Sequence, residues 1–252
     1  MRNRFIMFPL DRDKQSEQAR KFAHIVGFPI VQGANDCTHI DLCAPHINSA
    51  IFINRKGFHS LNVQLVCSYT HRIMEVGARY PGRSHDTFVM QQSNLPAIFH
   101  PAHQVKGWLL GDKGYPLTPW LMTPVRNSHT RAEQAYNESH AATRNIVEHT
   151  IGLLKQCFHC LDHSGGAFQC SAEWVGRFVV VCCMLHKLTT MRYQPLQSMI
   201  GADPEPQVEE EEEEAEEDGE EPEEEVEEDT MVQQGTRTLS ARALRARLIH
   251  AR

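Results

Sequence analysis

The sequence predicts an α/β fold in which helices flank a mixed β-sheet. Three observations support this class: β-rich runs fill the first third of the chain, a short apolar strand stands near its middle, and two long helical patterns follow. This order indicates a sheet covered by helices rather than an all-helical or all-β domain. The 252 residues, 41% of them hydrophobic, are enough for a substantial core.

The first elements supply half of that sheet. Residues 15–26 have helical spacing and stop at Gly27, a residue that favours helix ends. Residues 28–43 are predicted to form a strand, a loop and a second strand around the sequence GANDCTHI. Residues 60–69 and 72–80 are rich in β-formers and joined by a short polar link, which predicts an antiparallel hairpin.

A turn at residues 81–86 and a helix over residues 87–99 come next. The segment GWLLGDKGYP then predicts a short buried strand that ends at Asp112, between two glycines. Apolar residues at helical spacing predict a long helix over residues 131–158 and a second, strongly apolar helix over residues 171–191.

The net charge of −7 hides two regions of opposite charge. Residues 209–229 contain 17 of the 32 acidic residues and no Lys or Arg, which leaves 15 acidic against 25 basic residues elsewhere. A basic body with an acidic strip is typical of proteins that bind polyanions. An imbalance of this size is also ordinary in other proteins, so the charge alone does not decide the function class.

The chain divides into four parts on these patterns. Residues 1–26 are a linker and helix, and residues 27–195 form the folded domain. We expect residues 196–235 to be disordered, because they cannot bury enough apolar surface. Residues 236–252 form a basic tail that predicts a short amphipathic helix, expected to stay solvated, with contact to DNA or to the acidic run as alternatives. The acidic run is interpreted as a solvated or histone-binding strip, with masking of the basic body as the alternative.

The sequence contains no secretory leader and no apolar run long enough to cross a bilayer, so we expect a soluble intracellular protein. Several of the eight cysteines lie in apolar runs and are interpreted as reduced core residues. Cys157 and Cys160 form a CxxC pair, but a zinc site would need a second ligand pair at a comparable spacing. We therefore favour a packing role for this pair over a zinc site.

Four carboxylates are candidates for metal-dependent phosphodiester chemistry, which needs hard oxygen ligands from separate elements. Asp36 lies in a strand segment, Asp112 follows the buried strand, and Glu148 lies on the long helix beside its apolar stripe. Asp86 lies in the turn before a helix and could supply a fourth ligand. Each also has an ordinary structural explanation: Asp36 and Asp112 as turn residues, Asp86 as an N-cap, and Glu148 as the helical partner of Arg144.

Basic residues accompany these carboxylates. Arg144 and Lys155 lie on nearly the same helix face as Glu148, and Lys113 follows Asp112 directly. We predict that these three contact nucleic acid, with His39 and His85 as further neighbours of a phosphate. A phosphohydrolase acting on small nucleotides is the weaker interpretation, because the sequence has no glycine-rich loop that would cradle phosphates.

Six blocks in order resemble the nuclease domain of the Harbinger transposase-derived nucleases, in the DDE endonuclease superfamily. They cover residues 27–190 and are GFPIVQGANDCTHI, NRKGFHSLNVQLVC, ARYPGRSHDTFVMQQS, GWLLGDKGYPLTPWLMTPV, AEQAYNESHAATRNIVEHTIGLLKQCFHCL and VVVCCMLHK. A single GDxGYP would be a weak match, whereas six consecutive blocks are specific. The sequence departs from the family at Asn35, usually apolar, at Cys37, usually Gly, and at Lys187, where Asn is common.

The resemblance implies a ribonuclease-H-like fold and a DNA endonuclease that uses Mg²⁺ or Mn²⁺. It implies Asp36, Asp112 and Glu148 as catalytic residues, with Asp86 as a further ligand of the metal. Family members usually carry a helix-turn-helix region ahead of this domain, and we expect none in this chain. Relatives of this kind are thought to take DNA binding and nuclear import from a Myb-like partner. The resemblance thus implies such a partner, a nuclear location with the cytoplasm as a second one, and leaves a homo-oligomer open.

A catalytically silent scaffold that keeps the transposase fold and binds DNA or protein is the alternative. The expected lack of a DNA-binding region favours that alternative. The presence of all four candidate carboxylates argues against it, because drift in an idle site should remove at least one of them.

Overall fold

The computed structural model of the chain describes residues 5–200, 232–234 and 237–250. The helices in these ranges are α1 Arg12–Val26, α2 Asp86–Gln91, α3 Leu95–Ile98, α4 Arg131–Cys157, α5 Ala172–Ile200 and α6 Ala241–His250. The strands are β1 Val31–Asp41, β2 Ser60–Cys67, β3 Ile73–Pro81, β4 Trp108–Leu110, β5 Leu121–Met122, β6 Val232–Gln234 and β7 Arg237–Leu239. Four short 3-10 helices occupy Ser49–Phe52, Pro101–His103, His159–Leu161 and His163–Gly165.

Five strands form one mixed sheet in the order β3-β2-β1-β4-β5. β1, β2 and β3 pair antiparallel, whereas β4 runs parallel to both β1 and β5. The predicted hairpin of β2 and β3 and the predicted α/β class with a mixed sheet are both confirmed. A separate pair is formed by β6 and β7.

β1 differs from its prediction, because residues 31–41 form one continuous strand where two strands and a loop were expected. Asn35 and Asp36 suit a turn, but β1 hydrogen-bonds to β2 on one side and to β4 on the other. Pairing on both sides satisfies the backbone of the whole segment, so tertiary context overrides the local turn preference.

Helix ends explain two further differences. α1 starts at Arg12, three residues before the predicted start, because the Asp11 carboxylate accepts the backbone N–H groups of Asp13 and Lys14. It ends as predicted at Gly27, which adopts φ 77°. The predicted single helix over residues 87–99 is wrong: it divides into α2 and α3, and Pro96 lies at the start of α3, where its missing N–H costs nothing.

α4 begins at a capping box: the Thr130 side chain accepts the backbone N–H of Glu133, and the Glu133 side chain accepts the backbone N–H of Thr130. Its buried residues recur at alternating intervals of four and three and are Tyr136, His140, Thr143, Val147, Thr150 and Leu154. This periodicity fixes which face of α4 meets the sheet, and the predicted helix over residues 131–158 is confirmed to within one residue.

α4 and α5 cover one face of the sheet. Val175, Val179 and Cys183 of α5 pack with Leu154 of α4 and with the apolar side chains of β2 and β3. The outer face of α5 leaves five large apolar side chains exposed, namely Trp174, Phe178, Val181, Leu185 and Leu188. α2 and α3 cover the opposite face, where Met90 and Leu95 pack with Val66 and Leu109.

Two expectations concern the C-terminal part of the chain, namely disorder over residues 196–235 and a solvated helix within residues 236–252. Residues 201–231, which contain the acidic run, lie outside the described residues, so the expected disorder cannot be compared there; α5 extends to Ile200. The predicted amphipathic helix in the tail is confirmed as α6. The expectation that it stays solvated is wrong, because Leu244, Leu248 and Ile249 pack with Tyr136 of α4 in a common apolar cluster. Within the described ranges, no helix is both long and apolar enough to cross a membrane.

Candidate functional site

Asp36 and Asp112 lie side by side on neighbouring parallel strands. Ala34 of β1 pairs with Leu110 of β4, and each aspartate stands two residues further along its strand. Because side chains two residues apart point to the same face of a sheet, both carboxylates face α4. Asp112 lies two residues beyond the end of β4, and its Oδ1 accepts the backbone N–H of Lys113 at 2.6 Å.

Glu148 reaches this place from α4. His140, Arg144 and Glu148 follow one another at intervals of four, so they form one row along α4 that starts at the buried His140 and ends at the exposed Glu148. His140 is fully buried and donates from Nε2 to the Met122 carbonyl at 3.0 Å. Burial lowers the pKa of His140 to about 4, so this imidazole is neutral and structural, and it anchors α4 to β5.

Arg144 joins two of the three carboxylates. Its Nη1 donates to Asp36 Oδ2 at 3.0 Å, and its Nη2 forms a short bond to Glu148 Oε1. The pairing with Glu148 agrees with the helical partnership considered from the sequence. The bond to Asp36 spans 108 residues of sequence and could not be foreseen from local spacing. Three carboxylates and one guanidinium leave a formal charge of −2 at the site.

Asp36 is the most strongly perturbed of these acids. Its side chain is 19% exposed. The pKa of Asp36 is raised from 3.8 to about 6, chiefly by burial and further by repulsion from Asp112 and Glu148, against the lowering effect of the Arg144 guanidinium and the Cys37 N–H. A carboxylate that is poorly solvated and repelled by two others favours a cation close by.

Asp86 lies on the other side of β1. Its Oδ1 accepts from Asn62 Nδ2 at 2.8 Å, and its carboxylate contacts the thiol of Cys37. Cys37 packs with Tyr115 and the residues under α2 and α3, on the face opposite to Asp36. The structure therefore brings Asp36, Asp112 and Glu148 together and places Asp86 apart from them.

The three predicted nucleic-acid contacts lie at different distances from this cluster. Arg144 belongs to it. Lys113 is exposed on the loop after Asp112, and this loop is held by Thr87 Oγ1, which donates to the Gly114 carbonyl at 2.9 Å, and by Arg126, which donates to the Lys113 carbonyl at 3.4 Å. Lys155 lies two turns beyond Glu148, near His39 and Asp162.

The donor chemistry of the cluster suits Mg²⁺ or Mn²⁺, which prefer carboxylate oxygens. Among the described residues, however, no three His, Cys, Asp or Glu side chains stand close enough to hold one metal ion together. The geometry gives the reason: Arg144 stands between Asp36 and Glu148, and Asp112 is bonded to its own loop. A cationic group already lies between two of the carboxylates, so the set fits a cation once Arg144 moves aside.

The cysteines are partly as predicted. Cys67, Cys182 and Cys183 are buried free thiols, which confirms the interpretation of reduced core cysteines. Cys157 and Cys160 are exposed, so the predicted packing role is wrong for Cys157, whereas the thiol of Cys160 contacts the buried thiol of Cys182. The pair lies where α4 ends and the next 3-10 helix begins, at the surface of the domain.

Comparison with known proteins gives the family. The model of the DDE superfamily endonuclease family matches residues 35–187. The human protein "Putative nuclease HARBI1" is 37% identical over 210 residues, which cover 83% of this chain and 60% of the relative. The Xenopus laevis protein of the same name is 36% identical over 202 residues, or 79% and 58% of the two chains.

A plant relative is more distant. The Arabidopsis thaliana "Protein ALP1-like" is 26% identical over 191 residues, which cover 69% of this chain and 47% of the relative. No solved structure matches the chain. The chain thus spans about 60% of the length of the human relative. The match covers the strands and helices that carry Asp36, Asp112 and Glu148, and the mixed sheet has the ribonuclease-H-like fold of the family. The chain belongs to the DDE superfamily endonuclease family, alongside the Harbinger-derived nucleases that its sequence resembles.

Proposed function

We propose that the chain is a divalent-metal-dependent endonuclease that hydrolyses phosphodiester bonds in DNA. The observation that carries the proposal is the meeting of Asp36 and Asp112, from adjacent parallel strands, with Glu148 from α4. Three carboxylates around a single guanidinium keep a net negative charge, which is unfavourable unless a further cation compensates it. A fold seldom keeps such a cluster without a use for it.

In this proposal Asp36 and Asp112 hold the cation, and Glu148 completes its ligands after Arg144 has turned away. A divalent cation bound there supplies an activated water or hydroxyl nucleophile and stabilises the charge of the phosphate under attack. Arg144, released from the two carboxylates, can donate to a phosphate oxygen. Lys113 and Lys155 add positive charge on either side along the strand, so the backbone of the nucleic acid is held in place.

The first test is nicking of supercoiled DNA by the full 252-residue chain in Mg²⁺ or Mn²⁺, with EDTA as the metal-free control. Glu148→Gln and Asp112→Asn should abolish metal-dependent nicking. Glu138→Gln removes the same charge from an exposed position on the same helix and should leave nicking unchanged. Nicking that survives in Glu148→Gln, or that persists in EDTA, would contradict the proposal.

The second candidate is a silent scaffold that keeps the fold without cleaving DNA. The observation that favours it is the position of Arg144, which neutralises two carboxylates in place of a metal ion. Calorimetric titration with Mn²⁺ separates the two functions if nicking is not observed. Mn²⁺ binding that Glu148→Gln weakens indicates a competent site that needs a partner, whereas no Mn²⁺ binding supports the scaffold.

We also propose, from the family resemblance, that the protein acts in the nucleus with a Myb-like DNA-binding partner. Residues 27–195 would form the nuclease domain, flanked by the helical segment 1–26, the acidic segment 196–235 and the basic tail 236–252. Imaging of the tagged chain, with and without the co-expressed partner, tests this proposal. A nuclear signal that does not change with the partner would remove the partner from the import step.

A further inference from the structure

A pocket of about 380 Å³ lies beyond the carboxyl end of β1, outside the carboxylate cluster. It is lined by Ala50, Ile53, Asn54, Arg55, Arg83 and His85. None of the residues assigned to the cluster lines it. Two arginines and a histidine on one small pocket favour an anionic ligand.

One wall is the turn that carries Arg55. Asn54 is 5% exposed and holds this turn from inside. Its amide donates to Ser60 Oγ at 3.1 Å, its side-chain oxygen accepts from the Phe58 N–H at 3.3 Å, and its backbone N–H bonds to the Phe58 carbonyl at 3.0 Å. These three bonds fix the turn, so Arg55 projects from a rigid base.

The opposite wall is the segment between β3 and α2, which carries Arg83 and His85. Gly82 approaches β2 so closely that an added Cβ would stand 2.3 Å from Ser60 Oγ and 2.6 Å from the Phe52 carbonyl. The Arg83 N–H donates to the Ile51 carbonyl at 3.0 Å, which ties this wall to the first one. The pocket is thus preorganised by backbone contacts rather than assembled from loose side chains.

The polar groups that face the pocket are almost all donors. Neither Arg55 nor Arg83 has an Asp or Glu oxygen within ion-pair distance among the residues described. Arg55 Nη2 donates to His85 Nδ1 at 3.2 Å, so the neutral ring carries its hydrogen on Nε2 as a further donor. Two guanidinium groups without a carboxylate partner among the described residues, together with an imidazole N–H, match the oxygens of a phosphate.

The position of the pocket indicates which phosphate it takes. His85 immediately precedes Asp86, and Asp86 contacts Cys37, the neighbour of Asp36. Cys37 and Asp36 point to opposite faces of β1, so the pocket and the carboxylate cluster flank this strand on opposite faces, with the pocket nearer its carboxyl end. A polyanion that passes around the carboxyl end of β1 would meet both.

We propose that the pocket is a second phosphate subsite, which binds a backbone phosphate of the nucleic-acid strand away from the phosphate at the carboxylates. The proposal rests on the proposed function for its choice of polynucleotide. It needs no cation and no cleavage, because guanidinium groups bind phosphate directly. The subsite would fix the register of the strand relative to Asp36 and Asp112.

The test is fluorescence anisotropy of a labelled DNA duplex with the full chain in EDTA, at several salt concentrations. Arg55→Gln and Arg83→Gln should each weaken binding about tenfold and lower the slope of log affinity against log salt by about one, as loss of one phosphate contact does. Arg83→Lys keeps the charge and should keep most of the affinity. Arg20→Gln, an exposed charge on α1 at the other end of β1, should change affinity less than twofold.

Equal losses of DNA affinity in Arg20→Gln and Arg83→Gln would show a general effect of charge and would overturn the subsite. Absence of DNA binding by the wild-type chain would overturn it as well. Inorganic phosphate, followed by ³¹P NMR, separates the two sources of the ligand. Binding of free phosphate with undiminished DNA affinity in Arg83→Gln would overturn the assignment to a polynucleotide. Failure of nicking and of Mn²⁺ binding, alongside arginine-dependent DNA binding, would reject the nuclease and keep the subsite.

Discussion

Asn35 illustrates the cost of a polar side chain in the centre of this sheet. It is fully buried in β1, and neither its Nδ2 nor its Oδ1 has a hydrogen-bond partner in the described part of the chain. A buried amide without partners costs about 1–3 kcal/mol. The family resemblance independently marks an apolar residue as usual at this position.

Asn35→Val should therefore increase the free energy of unfolding by about 1–2 kcal/mol, because the penalty disappears and a β-branched residue suits the strand. Urea denaturation followed by circular dichroism measures this change. Asn54→Val is the matched control: Asn54 is also buried, but both ends of its amide are bonded. That control should lose stability, and a gain in both variants would contradict the explanation.

Asp36 gives the fold a pH dependence of its own. Burial raises the pKa of Asp36 from 3.8 to about 6 in the folded chain. The protonated acid thus stabilises the fold fully below pH about 4, and this contribution is lost as the pH rises through about 6. A difference of about two in pKa corresponds to about 3 kcal/mol.

Asp36→Asn removes this titration. In EDTA, the unfolding free energy of the variant minus that of the wild type should rise by about 2–3 kcal/mol between pH 4 and pH 7. Urea titrations at pH 4, 5, 6 and 7 supply the measurement. A difference that stays constant across this range would mean that Asp36 ionises in the fold as it does in the unfolded chain.

Among the elements, α5 allows two identical substitutions to be compared. Val179 is 1% exposed and packs against the sheet, whereas Val181 is 45% exposed on the outer face of the same helix. Val179→Ala should cost about 2 kcal/mol, at about 0.8 kcal/mol for each buried methyl plus the cavity left behind. Val181→Ala should cost less than about 0.5 kcal/mol. Thermal unfolding of the two variants measures the contrast, and equal losses would place a further contact on the outer face.

Elements with a strong local periodicity could be predicted from the sequence. Elements whose extent depends on contacts with distant segments could not. The hairpin of β2 and β3 and the helix α4 follow from periodicity within each segment. β1 could not be recognised as continuous, because its pairing with β4 involves residues more than seventy positions away. The split between α2 and α3 was missed although Pro96 was visible, because apolar residues on both sides keep helical spacing.

The candidate site divides in the same way. The sequence identified Asp36, Asp112 and Glu148 as one group, and the structure brings these three side chains together. Asp86 was assigned to the same group, but it contacts Cys37, and the alternation of side chains along β1 points Cys37 to the face opposite to Asp36. The bond from Arg144 to Asp36 and the pocket of Arg55 and Arg83 depend on contacts between distant segments. No local spacing encodes them.

For the whole molecule, the C-terminal helix α6 is part of the core. Leu244 is 4% exposed and packs in the same cluster as Tyr136 of α4 and Trp108 of β4. Arg245 of the same helix donates to the Pro124 carbonyl at 3.3 Å. The body of the protein therefore includes residues that follow the acidic run by more than ten positions.

Leu244→Ala should lower the free energy of unfolding by about 2–4 kcal/mol, as for other buried leucines. Leu188→Ala on α5 removes the same atoms from a side chain that is 43% exposed, and it should cost less than about 1 kcal/mol. Chemical denaturation of both variants makes the comparison. A Leu244→Ala variant as stable as Leu188→Ala would mean that α6 does not remain docked in solution.

The capping box of α4 also limits how the length of this chain can change. One residue inserted between His140 and Val147 would rotate everything beyond it by about 100° relative to Thr130 and Tyr136. Either the cap or Glu148 would then leave its place, since both cannot keep their phase. Seven inserted residues would restore the angle to within about 20° but would lengthen the helix by about 10 Å. An insertion or deletion in this part of α4 therefore moves Glu148 either around the helix axis or along it, so the distance from Thr130 to Glu148 has a fixed length in residues.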